Sequence, residues 1–171
     1  MGKKFMGAAL VAVITLIAGA PDDLSVPPAN AAPLAQVRND VGQTDTLLGV
    51  DANSNGVRDD IDAYIEKSVH HAMRLAATQS ARGFQRVMAT DIKDRNALRE
   101  TANQFTRDNA CVWETAQELR KQGTGSAAAP ITRALEALTA NTAKRQSHYA
   151  AFNSGASGMV FTNARTGNCD K

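Results

Sequence analysis

Residues 98–119, LRETANQFTRDNACVWETAQEL, decide the fold. Leu98, Ala102, Phe105, Asn109, Val112, Ala116 and Leu119 alternate by four and three along this stretch. An α-helix completes a turn every 3.6 residues, so these seven positions share one face. A seam with this spacing is what helices present to one another in a bundle. The preceding chain has the same period. Ile61, Ile65, Val69, Ala72, Met73 and Ala76 define one apolar face, and a further segment starts near Ser80 with Phe84, Val87, Met88 and Ile92. Gly83 weakens the start of that segment. Beyond the seam, Gln122-Gly123-Thr124-Gly125-Ser126 is a break. Pro130 suits the first turn of a following helix. That helix would bury Ile131, Leu135, Leu138, Thr142, Tyr149 and Phe152, with Gly155 and Gly158 ending it. A short helix is expected over Leu34–Leu47. The tail, Met159–Lys171, reads as short and irregular, partly extended at Met159–Phe161. Helical segments with one apolar stripe each, joined by short breaks, give an all-α antiparallel bundle in a single domain, residues 32–171. No internal repeat is present.

One segment carries chemistry. Residues 51–62 read Asp-Ala-Asn-Ser-Asn-Gly-Val-Arg-Asp-Asp-Ile-Asp. Oxygen-bearing side chains fall at loop positions 1, 3, 5, 9 and 12, and a glycine at position 6, which is the spacing of a calcium loop. Ca²⁺ is a hard cation that takes six to eight oxygens, and few short segments offer so many in register. The alternative is an ordinary Asx-rich turn, with Asp59 as a helix N-cap and Asp60 and Asp62 favoured by the helix dipole. A loop can do both.

The segment resembles the calcium loops of EF-hand proteins and, more closely, those of thrombospondin type 3 repeats. The resemblance implies Asp51, Asn53 and Asn55 as alternating ligands and Gly56 as the residue of the sharp turn. It implies Val57 as a backbone carbonyl ligand, Asp59 as a direct or water-mediated ligand, and Asp62 as the closing ligand. An EF-hand closes with Glu; Asp62 is one methylene shorter, as in the type 3 repeat. That family runs loops in tandem, whereas this chain has one. Leu48-Gly49-Val50 leads in, so an extended entry and a helix only on the exit side are expected. Three aspartates with neutral Asn partners imply modest affinity, roughly 10⁻⁴–10⁻³ M, fitting a structural ion better than a signalling switch.

The N-terminus reads as a secretion signal of a bacterial-type exported protein, residues 1–31. Lys3 and Lys4 precede an apolar core from Phe5 to Ala20. That core is short of the ~20 residues needed to span a membrane. Ala29-x-Ala31 is a cleavage pattern, and an uncleaved membrane anchor is the alternative. The expected location is periplasmic or secreted, with no stable membrane span after processing. The remaining chain, about 140 residues, has room for a real core. The whole chain's net charge is +2. Arg82, Arg86, Lys93, Arg99, Arg107 and Lys144 are scattered, as on solvated helix faces, and no basic run interleaves with aromatics. Nucleic acid is therefore not an expected partner.

Cys111 and Cys169 are an even pair in an exported chain. A disulfide is the favoured reading and two buried thiols the alternative. A bond closing a loop of about sixty residues contributes roughly 4 kcal/mol in the chain-entropy account. It would bring the tail back along the bundle.

No catalytic site assembles. Asp62, Glu66 and His70 step by four and would share one helix face, where Glu66 and His70 offer a possible transition-metal pair. The alternative is a polar face with a Glu–His contact. There is no nucleophile elbow and no phosphate-binding loop. Trp113 flanks the seam, for core or boundary packing or, if exposed, to anchor a partner. The leading expectation is a non-enzymatic, calcium-binding helical module with an unidentified protein partner in the envelope or outside the cell. A small metal-dependent hydrolase using Glu66 and His70, and a secreted effector or inhibitor acting through a helix face, are the alternatives.

Overall fold

The computed structural model describes residues 46–125, 127–161 and 166–170. The expected signal segment, its cleavage pattern and the expected helix over Leu34–Leu47 lie outside these residues, except for residues 46 and 47, which form a bend rather than helix. Among the described residues the secondary structure is helical, with no strand. The helices are α1 (Asp59–Ser68), α2 (Arg74–Ala89), α3 (Arg95–Lys121), α4 (Ala128–Thr139) and α5 (Ala143–Ala156), and a 3₁₀ turn, His71–Met73, precedes α2. None of the described helices is long and apolar enough to cross a membrane.

The seam of residues 98–119 lies on α3. Leu98, Ala102, Val112 and Ala116 are buried, and Phe105, Asn109 and Leu119 are half-buried. Asp94 caps the helix by accepting from the N–H groups of Asn96 and Ala97. α2 packs along α3 in the opposite direction: Gln79 bonds Asp108, Ser80 bonds Asn109, and Thr90 bonds Thr101. Rising numbers on one helix meet falling numbers on the other, which makes the pair antiparallel. Gly83 is buried in the middle of this crossing. A Cβ there would lie 2.9 Å from Asp108 Oδ2 and 3.2 Å from the Phe105 ring, so glycine sets the approach of the two helices rather than weakening a helix start. α2 also touches α1, α4 and α5 and is the hub of the bundle. Its Phe84 meets Phe105 edge-on, with ring centroids 4.8 Å apart.

Two helix boundaries differ from the periodic reading. The apolar face from Ile61 to Ala76 is not one helix. The chain leaves helical geometry at Val69 (φ −96°, ψ 131°) and His70 (φ −54°, ψ 134°). No glycine or proline causes this break. Arg74 stabilises it: its guanidinium donates to the carbonyls of Val69 (3.1 Å) and Glu66 (2.5 Å) and pairs with the Glu66 carboxylate (2.7 Å). Carbonyls that lose their helical partners at the end of α1 thus regain donors. Likewise the face from Ile131 to Phe152 is shared by two helices, α4 and α5. Thr142 begins the second by accepting the Arg145 N–H. Gly155 lies inside α5 against Leu98, and Gly158 follows the helix at φ +78°. Residues 157–161 are irregular, without strand pairing.

Cys111 and Cys169 are bonded to each other. The tail therefore returns to the middle of α3, as the disulfide reading requires.

Candidate calcium loop

Entry to the loop is non-helical. Gly49 takes φ +73°, and the Val50 carbonyl accepts the Asp59 N–H at 2.9 Å, which closes the base of the loop. Ser54 (φ +55°) and Gly56 (φ +83°) make the turn with left-handed backbone, and Gly56 is the residue type that adopts it without steric cost. α1 begins at Asp59, on the exit side. Its N-cap residue is Arg58, which makes no side-chain cap bond; the Asp59 carboxylate instead accepts the Ala52 N–H across the loop at 3.0 Å. The simple reading of Asp59 as N-cap is therefore corrected.

The polar side chains point across the loop. Asp51 accepts the N–H groups of Asn55 (3.1 Å) and Gly56 (2.9 Å), one on each carboxylate oxygen. Asn53 accepts the Asn55 N–H, and Asn55 accepts the Val57 N–H. The side-chain amides of Asn53 (3.4 Å) and Asn55 (2.6 Å) both donate to the same Asp62 oxygen. Positions 3, 5 and 12 thus meet through their side chains, Asp51 holds the turn through the main chain of Asn55 and Gly56, and Val57 is fully buried. Asp59 sits to one side, bonded to Ala52. Among the described residues no group of three or more His, Cys, Asp and Glu side chains is gathered closely enough to hold a metal. The loop offers neutral Asn oxygens between its aspartates, a donor set of oxygens only, which suits a hard cation.

Arginines of the bundle fasten this loop, and the scattered-surface reading of the basic residues is corrected in part. Arg82 of α2 donates to the Asn55 carbonyl at 2.9 Å. Arg58 is buried, chelated by Asp60, and donates to the Leu138 carbonyl of α4 at 2.8 Å. Arg145 of α5 is also buried and holds the entry segment through the carbonyls of Thr46 and Leu47. Arg86 pairs with buried Asp108, and Arg107 with Asp170. Buried charges need such partners. Sequence patterning gave no signal for Arg58 or Arg145, because each has charged or polar sequence neighbours (Asp59; Lys144 and Gln146) and reads as a surface residue.

The Glu66–His70 face does not form. α1 ends at Ser68, so His70 lies beyond the helix, and Glu66 is paired with Arg74. His70 instead lies beside His71, ring centroids 4.2 Å apart, with both residues exposed. Trp113 is also exposed, at 45%.

No protein-family model matches this chain, and no curated protein or solved structure matches it.

Proposed function

We propose that this is an exported, non-enzymatic helical binding module whose loop 51–62 holds one structural Ca²⁺. The ligands are Asp51, Asn53, Asn55 and Asp62, the Val57 carbonyl, and Asp59 directly or through a water. The supporting observation is the convergence of the Asn53 and Asn55 side chains on one oxygen of Asp62, in a turn that Asp51 holds through the N–H groups of Asn55 and Gly56, the latter a glycine at φ +83°. A cation would replace the two amide groups at Asp62 once both Asn side chains turn their oxygens inward. Gly56 N–H and Asn55 N–H already orient the Asp51 carboxylate, while the Asn53 and Asn55 oxygens would exchange the main-chain N–H groups they now accept for the ion. The disulfide supports export, because such bonds persist in oxidising compartments. The ion's role on this reading is to fix the entry segment and α1 onto the bundle, leaving the helix faces for a protein partner.

Isothermal titration of the protein with Ca²⁺ tests the site. One ion per chain is expected, with Kd roughly 10⁻⁴–10⁻³ M. Asp62→Ala should abolish the heat of binding. Asp60→Ala should preserve it, since Asp60 faces Arg58 and not the loop centre. No binding at millimolar Ca²⁺ would overturn the proposal.

A further inference from the structure

Residues 167–170 are held on the α2–α3 face much as a bound peptide would be. Glu114 accepts the consecutive N–H groups of Gly167 (2.7 Å) and Asn168 (3.0 Å). Gln79 donates to the Asn168 carbonyl and accepts the Asp170 N–H, both at 2.9 Å. Arg107 donates to the same carbonyl at 3.0 Å and pairs with the Asp170 carboxylate at 2.6 Å. Five of these six contacts read main chain, which every sequence has; in addition the buried Asn168 side-chain amide donates to Glu114 at 3.3 Å. The only charged side chain read is the carboxylate of Asp170.

The helices fix Gln79, the centre of this platform, through contacts that the tail does not make. Asp108 is fully buried and accepts the Gln79 amide at 2.9 Å and the Gln104 amide at 3.0 Å, with Arg86 on its other oxygen. Gln79 is thereby fixed in the orientation that meets the two peptide groups flanking Cys169, donating to one and accepting from the other. A cavity of about 500 Å³ adjoins the platform, bordered by Glu114, Thr166 and exposed Trp113, so the groove is longer than residues 167–170 fill.

We propose that the platform of Gln79, Arg107 and Glu114 is a docking site for an extended peptide of another protein bearing a carboxylate side chain opposite Arg107. Residues 167–170 are its resident occupant, locked by the Cys111–Cys169 bond and released by reduction. The reductant is a dithiol. Its first thiolate attacks Cys169 Sγ, and Cys111 leaves as a thiolate. Its second thiolate then displaces Cys169, closing the dithiol to a cyclic disulfide and leaving two protein thiols after protonation. A tethered tail acts at roughly millimolar effective concentration, so an incoming peptide competes only once the tail is weakened as well as unlocked.

The test uses the full chain and a fluorescein-labelled peptide, Thr-Gly-Asn-Ser-Asp amide, which copies residues 166–170 with serine for cysteine. The double variant Cys169→Ser/Asp170→Arg lacks the bond and sets its own tail against Arg107. It should bind the peptide, by fluorescence anisotropy, at least about tenfold more tightly than the oxidised parent does. Replacing the peptide's last residue with lysine should weaken binding about tenfold, and adding Arg107→Ala should remove that preference. Asp170→Arg alone, reduced with dithiothreitol, gives the same comparison if the double variant loses its helical circular-dichroism signal. A folded variant that binds neither peptide, or binds both equally with Arg107 present, would overturn the proposal.

Discussion

Gly49 shows how one residue can set the register of the loop. At φ +73°, a Cβ would lie 2.1 Å from Arg58 Cδ and 3.0 Å from a guanidinium nitrogen of Arg145. Both arginines are buried and fastened to carbonyls, so neither can swing away cheaply. Left-handed backbone strain adds to this overpacking, and Gly49→Ala should cost roughly 2–4 kcal/mol in denaturant unfolding. An unchanged midpoint would show that the entry segment does not need this conformation. Glu114 supplies a pH test. The N–H groups of Gly167 and Asn168 hold its carboxyl below the ordinary value of 4.5. A depressed folded pKa means that the contact stabilises the tail fully above the unfolded value and loses that contribution as pH falls through the folded one. The amide resonances of Gly167 and Asn168 should therefore titrate together, with a midpoint below 4.5. A midpoint at or above the ordinary glutamate value would contradict the contact.

At the scale of elements, the break between α1 and α2 rests on Arg74. Arg74→Ala removes donors from the Val69 and Glu66 carbonyls. Because Arg74 is partly exposed, the expected loss is modest, roughly 1 kcal/mol. Hydrogen exchange should quicken at Val69 and Met73, whose N–H groups bond Ile65 and His70 carbonyls beside the joint. Unchanged exchange there would mean that the joint is held by packing alone. This element also marks where sequence reading stops. The α3 seam was legible because its apolar side chains recur with the helix period over six turns, and Gly49 marked the entry as non-helical, though it bends with left-handed backbone rather than running extended. The end of α1 was not: Val69 and Met73 fit one helical stripe whether or not the backbone bends between them. The α4–α5 break was hidden in the same way, since Thr142 reads equally as a face residue and as a cap. Of the loop, the residue types and spacing were legible. Its fastening by Arg58, Arg82 and Arg145 was not, because those partners are backbone carbonyls distant in sequence. Asp108 is a similar case: it is adjacent to the seam position Asn109, and only the crossing at Gly83 shows that it is buried.

Over the whole molecule, the loop and its entry segment are tied to three different helices, the loop through Arg58 and Arg82 and the entry through Arg145. Ion binding confined to residues 51–62 should therefore stabilise the bundle as a unit, not the loop alone. A ligand that binds only the folded state stabilises by RT ln(1 + [L]/Kd), roughly 1.4 kcal/mol at ten times Kd. For a bundle of this size that raises the thermal midpoint by about 3–6 °C. Asp51→Ala serves as the internal control. It should lower the midpoint even in chelator, because the Gly56 N–H loses its acceptor and the Asn55 N–H keeps only Asn53, and it should remove the response to calcium. The measurement that tests the account most directly is the thermal unfolding of the protein, followed by far-ultraviolet circular dichroism, in 10 mM Ca²⁺ (about ten or more times the expected Kd) and in excess chelator. The account predicts a single transition that shifts upward in calcium for the parent and does not shift for Asp51→Ala. Superimposable parent curves in calcium and chelator would contradict it.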